Sequence, residues 1–272
     1  MNVSGKTVLV TGSTDGVGRR VAERLAEAGA QVLLHGRSRE RGEILRDEIN
    51  AAGKGKAVFY QADLSSLAEV RRFAEAVRRD HGRIDVLVNN AGLGSGPDMK
   101  TRAVSADGHE LRFAVNYLAG FLLTYLLLPI LMKSAPARIV NVSSLGQQPI
   151  DFADVMLERG YDGGRAYRQS KLAQILFTFD LAQELAGTGV TANCLHPATF
   201  MDTTMVRQAG TTPLSTADQG ADAILDLVAS PALADSTGLF YEGKKESRAN
   251  DQAYDSDARR KLRELSVRLT KI

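Results

Sequence analysis

At 272 residues with 44% hydrophobic content, the chain is long enough to bury a substantial core and fits one α/β domain. The formal charge is +2 with acidic and basic residues interleaved, which argues against a nucleic-acid footprint and leaves the arginines as solvated helix faces. One cysteine, Cys194, excludes an intrachain disulfide and a multi-cysteine metal site, and His35, His81, His109 and His196 show no ligand spacing.

Met1 leads straight into Lys6–Val10 without the ordered basic, apolar and small-residue regions of a signal peptide. Short apolar runs then alternate with helical periodicity. The pattern predicts strands near 6–11, 31–35, 57–62, 84–89, 137–143, 189–195 and 238–241. Helices are predicted near 16–28, 38–52, 65–80, 104–132, 166–187, 216–229 and 257–270. Such alternation implies an α/β fold of the Rossmann type: a doubly wound, seven-stranded parallel sheet in a single domain over 1–272. The most apolar segment, Tyr117 to Met132, contains Pro129 and falls short of the roughly 20 residues that span a bilayer. It reads as a buried or interface helix, and a cytoplasmic protein with no membrane span is expected.

The first strand runs into Thr11-Gly12-Ser13-Thr14-Asp15-Gly16-Val17-Gly18, inside which a helix starts. Glycines at a strand-to-helix turn let backbone approach a pyrophosphate, and the helix N-terminus then meets its negative charge. A tight turn needing positive φ is the alternative, but the position after the first strand of a βαβ unit favours a dinucleotide. At the end of the second strand, His35-Gly36-Arg37-Ser38 puts glycine where an acid would hold a ribose 2′-hydroxyl, and an arginine next to it. A guanidinium binds a 2′-phosphate bidentately, so NADP is expected over NAD, although Asp15 runs against that reading.

Asn89-Asn90-Ala91-Gly92 ends the fourth strand with small residues and amides that let backbone lie along a cofactor, Asn89 being the structural member. Asn116 lies in an otherwise apolar helix, where an amide is costly unless hydrogen-bonded. The fifth strand ends in Ser143-Ser144. Further on, Tyr167 and Lys171 stand four apart at the start of an amphipathic helix and therefore share a face. The same spacing at Tyr241 and Lys245 is interrupted by Gly243 and reads as a strand.

Taken together, Gly-x-x-x-Gly-x-Gly at 12–18, Asn89–Gly92, Asn116, Ser144 and Tyr167-x-x-x-Lys171 resemble the short-chain dehydrogenase/reductase family in order and placement. The resemblance covers nearly the whole chain. It implies a catalytic set of Asn116, Ser144 (Ser143 as runner-up), Tyr167 and Lys171. It implies cofactor contacts from the glycine loop, Arg37, Asn90, Ala91, Gly92, Tyr167, Lys171, Pro197 and Thr199. Asp63-Leu64 matches the adenine-contacting dipeptide, with helix capping by Asp63 as the bland alternative. Ala198 stands where relatives usually have glycine, which requires a negative φ there.

Between Ser144 and Tyr167 lie 22 residues, more than in most relatives, and this insertion resembles the retinol-dehydrogenase, protochlorophyllide-reductase and WW-domain-oxidoreductase branch. Substrate loops are expected near 147–165 and 198–216, and a C-terminal helix near 257–270. In the implied mechanism, Tyr167 donates a proton to a carbonyl, the Lys171 ammonium together with the positive charge of oxidised nicotinamide lowers the phenol's pKa, Ser144 binds the substrate oxygen, and Asn116 completes a relay. The substrate implied is a small lipophilic or aromatic carbonyl or alcohol. The helices at 104–132 and 166–187 imply a homodimer or homotetramer. The competing readings are a dinucleotide-sensing regulator or scaffold with an idle site, and a sugar-nucleotide epimerase-type relative.

Overall fold

Strand β1 (Thr7–Val10) is buried at every position, which places it inside a sheet and not at an edge. The computed structural model describes residues 2–96 and 98–272. In it, β1 pairs in parallel with β2 (Gln31–Gly36) on one side and β4 (Val86–Asn89) on the other. With β3 (Lys56–Gln61), β5 (Ala137–Val142), β6 (Val190–His196) and β7 (Phe240–Glu242), the sheet runs in the order β3-β2-β1-β4-β5-β6-β7.

An eighth strand, β8 (Lys245–Ser247), pairs antiparallel with β7 around Gly243 at φ 59°, so the sheet has eight strands and not the expected seven. Three residues rich in charge carry no period-two signal, which is why the sequence pattern misses β8. Tyr241 and Lys245 fall on opposite strands of this hairpin, away from the helix that carries Tyr167.

The helices are α1 (Gly16–Glu27), α2 (Arg39–Ala52), α3 (Leu67–Asp80), α4 (Ala119–Lys133), α5 (Gly163–Glu184), α6 (Thr204–Gln208), α7 (Ala217–Ala229) and α8 (Ser256–Thr270). One core gathers α3, α4, α5 and α8 on one face of the sheet, and a second gathers α1, α2 and α7 on the other. The expected single domain is thus two cores sharing one sheet.

Three expectations change in detail. Residues 104–110 are not helical: Val104 bridges Glu110 across a turn that contains Gly108 at φ 81°. The helical run carries a π-helical stretch at Phe113–Leu118 that continues into α4. As a result the apolar rod Phe113–Lys133 has 21 residues, long and apolar enough to cross a bilayer, yet 61% of its most apolar window is buried in the fold. Finally, α5 begins at Gly163 because Asp162 caps it, its carboxylate accepting from the Arg165 N–H at 2.6 Å.

A buried polar row ties the helices to the sheet. Asn89 Nδ2 donates to Thr124 Oγ1 (3.0 Å) and Asn141 Oδ1 (2.8 Å), and Asn141 Nδ2 donates to Thr178 Oγ1 (2.8 Å). On the outer side, α8 lies over α5: Arg263 reaches Asp180 (2.5 Å), and Ser266 meets the buried Tyr117 hydroxyl (2.6 Å). Asn141→Ala leaves two buried groups without their partner. It should destabilise the fold by about 1–3 kcal/mol, read as a fall in thermal midpoint of about 2–4 °C per kcal/mol. An unchanged midpoint would show that the row is dispensable.

Candidate active site

The chain reverses direction around the sheet between β1 and β4, and ligands of open α/β sheets bind at the carboxyl ends of such strands. Backbone packing at that point is unusually close. A Cβ on Gly18 would sit 2.2 Å from Gly12 O and 2.4 Å from Asn90 Nδ2, and one on Gly12 would sit 2.8 Å from Ala91 Cα. Only glycine fits either position. Gly12 and Gly16 also hold positive φ (65° and 54°), which glycine adopts without cost.

Polar contacts fix this loop from three directions. Thr11 Oγ1 accepts from the Asn90 and Ala91 N–H groups, both at 3.0 Å, and Asn90 Nδ2 donates back to Thr11 O (2.9 Å) and Gly12 O (3.2 Å). Buried Ser13 is folded onto β2, its N–H donating to His35 O at 2.9 Å. Gly12 N–H donates to His35 Nδ1 (3.1 Å), while His35 Nε2–H points at Ala62 O (3.2 Å). That arrangement requires neutral histidine, and burial pulls its pKa down to about 4. Thr11 and His35 were not singled out from the sequence; His35 lies beside Gly36 and Arg37, but its role depends on a partner 23 residues away.

Asp15 caps α1, accepting from Gly16 N–H (2.7 Å), and also receives Thr204 Oγ1 (3.2 Å) and Arg41 Nη1 (3.3 Å). Val17 is buried behind the loop, whereas Thr14 lies against Gly36, where a Cβ would sit 2.5 Å from Thr14 Oγ1. Arg37 is exposed at the end of β2. Asp63 does not cap α3; Ser66 does, and Asp63 instead accepts from Ser65 N–H at 2.9 Å beside buried Leu64.

The second half of the site is carried by β5 and α5. Ser143 turns inward and donates to Lys171 O (2.8 Å), whereas Ser144 accepts from Gly146 N–H (3.0 Å) and lies beside Tyr167: a Cβ on Gly146 would sit 3.4 Å from Ser144 Oγ and 3.6 Å from Tyr167 Cε1. The Tyr167 and Lys171 side chains share a face, with the ammonium 5.9 Å from the ring centroid. Lys171 Nζ donates to Val142 O (2.9 Å) and Gln174 Oε1 (3.0 Å). Burial pulls its pKa down to about 8.

Within the protein alone, burial raises the Tyr167 pKa and the neighbouring Ser144 hydroxyl acts in the opposite direction.

Asn116, in the π-helical stretch, grips the backbone of Leu93, accepting from its N–H (2.7 Å) and donating to its carbonyl (3.0 Å); it also donates to Ser170 Oγ (2.9 Å). Both amide hydrogens are used, and Oδ1 keeps one acceptor position. A Cβ on Gly92 would lie 3.3 Å from Asn116 Oδ1 and 3.5 Å from Lys171 Nζ, so the two side chains converge on that glycine.

Beyond β6, Pro197 is buried and exposed Thr199 meets His196 Nε2 at 3.1 Å. Among the described residues, Leu157, Phe200 and Lys271 are the non-glycine residues with positive φ, so Ala198 is unstrained and the left-handed residue is Phe200 at 42°. The segment that follows folds over the crevice: Thr203 lies against Gly16, and Met205 Cγ is 3.0 Å from where a Gly94 Cβ would be. Its base is closed by Leu214 N–H donating to Phe200 O (2.9 Å) and Asp202 N–H to Ser215 O (2.8 Å).

The residues present fit a dinucleotide, because the glycine turn, packed so closely on Asn90 and Ala91 that no Cβ is tolerated at Gly12 or Gly18, leads directly into a helix N-terminus. Backbone room for a pyrophosphate beside two hydroxyls backed by an ammonium is what a nicotinamide-dependent oxidoreductase requires, and fold and site together define that class. Residues 6–213 match the model of the short chain dehydrogenase family. Retinol dehydrogenase 14 of Homo sapiens is 38% identical over 96% of this chain and 85% of its own length. Retinol dehydrogenase 12 of Homo sapiens is 36% identical over 99% and 87%.

Among solved structures, a putative uncharacterized protein from Mycobacterium paratuberculosis is 31% identical with a TM-score of 0.81, covering 99% of this chain and 95% of that one. The Pseudomonas aeruginosa RhlG/NADP active-site complex is 30% identical with a TM-score of 0.72, covering 89% and 95%. The chain belongs to the short-chain dehydrogenase/reductase family, in its retinol-dehydrogenase-like branch, and is an NAD(P)-dependent oxidoreductase.

His35 makes stability pH-dependent. Its unfolded pKa is about 6.5 and its folded value about 4, so the unfolded chain takes up the proton first as pH falls. The fold should be unaffected by this group above pH ~6.5 and lose stability down to pH ~4, by about 3 kcal/mol at the lower end. Denaturant titrations across that window should give a shallower slope for His35→Leu; parallel slopes would contradict the assignment.

Proposed function

We propose that this protein interconverts a carbonyl and an alcohol on a lipophilic or aromatic small molecule, with NADP as cofactor, Tyr167 as the proton donor and Ser144 as the group that orients the substrate oxygen. The observation that carries this is the convergence of Ser144 and Tyr167 beside Gly146, one helical turn from a buried ammonium and past the carboxyl end of β5. The nicotinamide, when bound, supplies or accepts the hydride. Tyr167 then moves a proton between its hydroxyl and the substrate oxygen, and Ser144 donates a hydrogen bond to that oxygen as charge builds there. Lys171 gives the pocket a positive charge, held in place by Val142 O and Gln174. Asn116 holds Leu93, and its remaining Oδ1 acceptor faces the side on which Lys171 lies.

NADP is favoured by the exposed Arg37 and by Gly36, where any side chain would collide with Thr14 and a ribose-binding carboxylate is excluded by sterics. Asp15 opposes a phosphate less than its charge implies, since Arg41, Gly16 N–H and Thr204 already engage it. A lipophilic substrate is favoured by the exposed Met99, Leu145, Phe200, Met205 and Leu214, which lie on segments flanking the crevice.

We read the rod at 113–133 as a core helix and the protein as cytoplasmic, on the strength of its packing beneath α3 and α5. For a homodimer or homotetramer, α8 already covers the outer side of α5, so self-association is proposed through α4, where Met132 is exposed and Tyr125 and Leu126 are half-buried.

With NADPH and an aromatic aldehyde, Tyr167→Phe should lower kcat by about 10²–10⁴-fold while NADPH binding stays within about twofold; retained turnover would remove Tyr167 from the role. NADPH should bind more tightly than NADH, and Arg37→Ala should erase most of the difference, about tenfold. Equal affinities in the unmodified protein would overturn the NADP assignment.

A further inference from the structure

The insertion at 147–165 is held down along its length. Gln252 makes a pair of hydrogen bonds with the Ile150 backbone (2.6 and 3.1 Å), Gln169 Nε2 donates to Pro149 O (2.7 Å), and Arg165 meets Asp151 (3.0 Å). Other contacts reach the 99–112 stretch: Arg102 Nε donates to Met156 O (2.9 Å) and Gly163 N–H to Met99 O (2.7 Å). Tyr161 Oη accepts from Arg112 Nη1 (2.5 Å) and donates to Glu110 Oε1 (3.0 Å), bridging a base and an acid that are themselves 3.6 Å apart.

Both charged groups are buried, Arg112 at 8% and Glu110 at 1% exposure, so their hydrogen bonds have to compensate lost hydration. Glu110 Oε2 accepts from Phe113 N–H (2.7 Å), the first residue of the π-helical stretch that carries Asn116. Arg112 Nε donates to Gly94 O (2.9 Å) and Nη2 to Ser95 O.

Arg112 and Asn116 are one turn apart, and between them they hold three successive residues of the loop after β4: Leu93, Gly94 and Ser95. Gly94 in turn abuts Met205 on the segment that covers the crevice. We propose that Tyr161 is a positioning residue for the substrate entrance, keeping the Arg112 fork on the Gly94 and Ser95 carbonyls instead of on Glu110. Without the phenolic oxygen, acid and base pair directly, the guanidinium swings towards the carboxylate, and the loop carbonyls lose their donors. The chemistry at Tyr167 is untouched, because the entrance changes shape while the hydroxyl pair does not.

The kinetic half of this rests on the carbonyl-reductase reading above; the loop half does not. In Tyr161→Phe, amide exchange at residues 92–96 should accelerate by about tenfold or more while that of 172–184 stays unchanged. The KM for a bulky aromatic aldehyde should rise by about tenfold, with kcat and NADPH affinity within about twofold. Arg112→Lys, which keeps the charge but not the fork, should reproduce both effects and serves in its place if Tyr161→Phe fails to fold. Unchanged exchange at 92–96, or a fall in kcat at constant KM, overturns the proposal. If the unmodified protein turns over no carbonyl, the functional reading fails, and the exchange measurement still decides the positioning role.

Discussion

Burial of the Lys171 ammonium is the constraint on which the geometry of the site depends. A charge in that position needs partners, and it finds them in a carbonyl of β5 and an amide one turn further along its own helix. Ser143 adds a bond from the same strand to the lysine's own carbonyl. Helix and strand are therefore locked at a single height. With that height set, Tyr167, one turn earlier, arrives beside Ser144, just past the end of β5. The Asn89–Asn141–Thr178 row repeats the same cross-link two turns along α5, so helix and strand cannot slide past one another.

Much of this arrangement is legible in the residue order. The alternating apolar runs place seven of the strands, while the glycines at 12, 16 and 18 mark where backbones must meet. Less legible are features that depend on distant partners. Nothing local announces that His35 will receive the Gly12 amide, that Thr11 will serve two amides of the fourth strand's end, or that residues 104–110 will bridge and not coil. The contacts of the Tyr167–Lys171 pair likewise depend on a distant partner. Spacing puts phenol and ammonium on one face, but which atom the ammonium touches is decided by the neighbouring strand.

The insertion between Ser144 and Tyr167 has the sequence of a loop and the contacts of a strap. Its length alone would let it wander over the substrate side, yet hydrogen bonds from α5, from the segment before α8 and from the buried Glu110–Arg112 pair tie it at several points. The segment from Phe200 to Ser215 differs in character: its exposed apolar side chains and left-handed Phe200 contrast with the tightly bonded strap.

The position of α8 bears on how the chain is made. The 21-residue apolar rod at 113–133 is synthesised near the middle of the chain, while the buried hydroxyl of Tyr117 has its partner, Ser266, almost at the far end. Arg71, earlier still, completes its contacts on the Thr270 carbonyl. Because synthesis runs from the first residue onward, the apolar rod is made well before the α8 residues that pack against it. Until residues 256–270 have been made, the buried Tyr117 hydroxyl lacks its Ser266 partner, so the packing of the rod depends on residues added well after it.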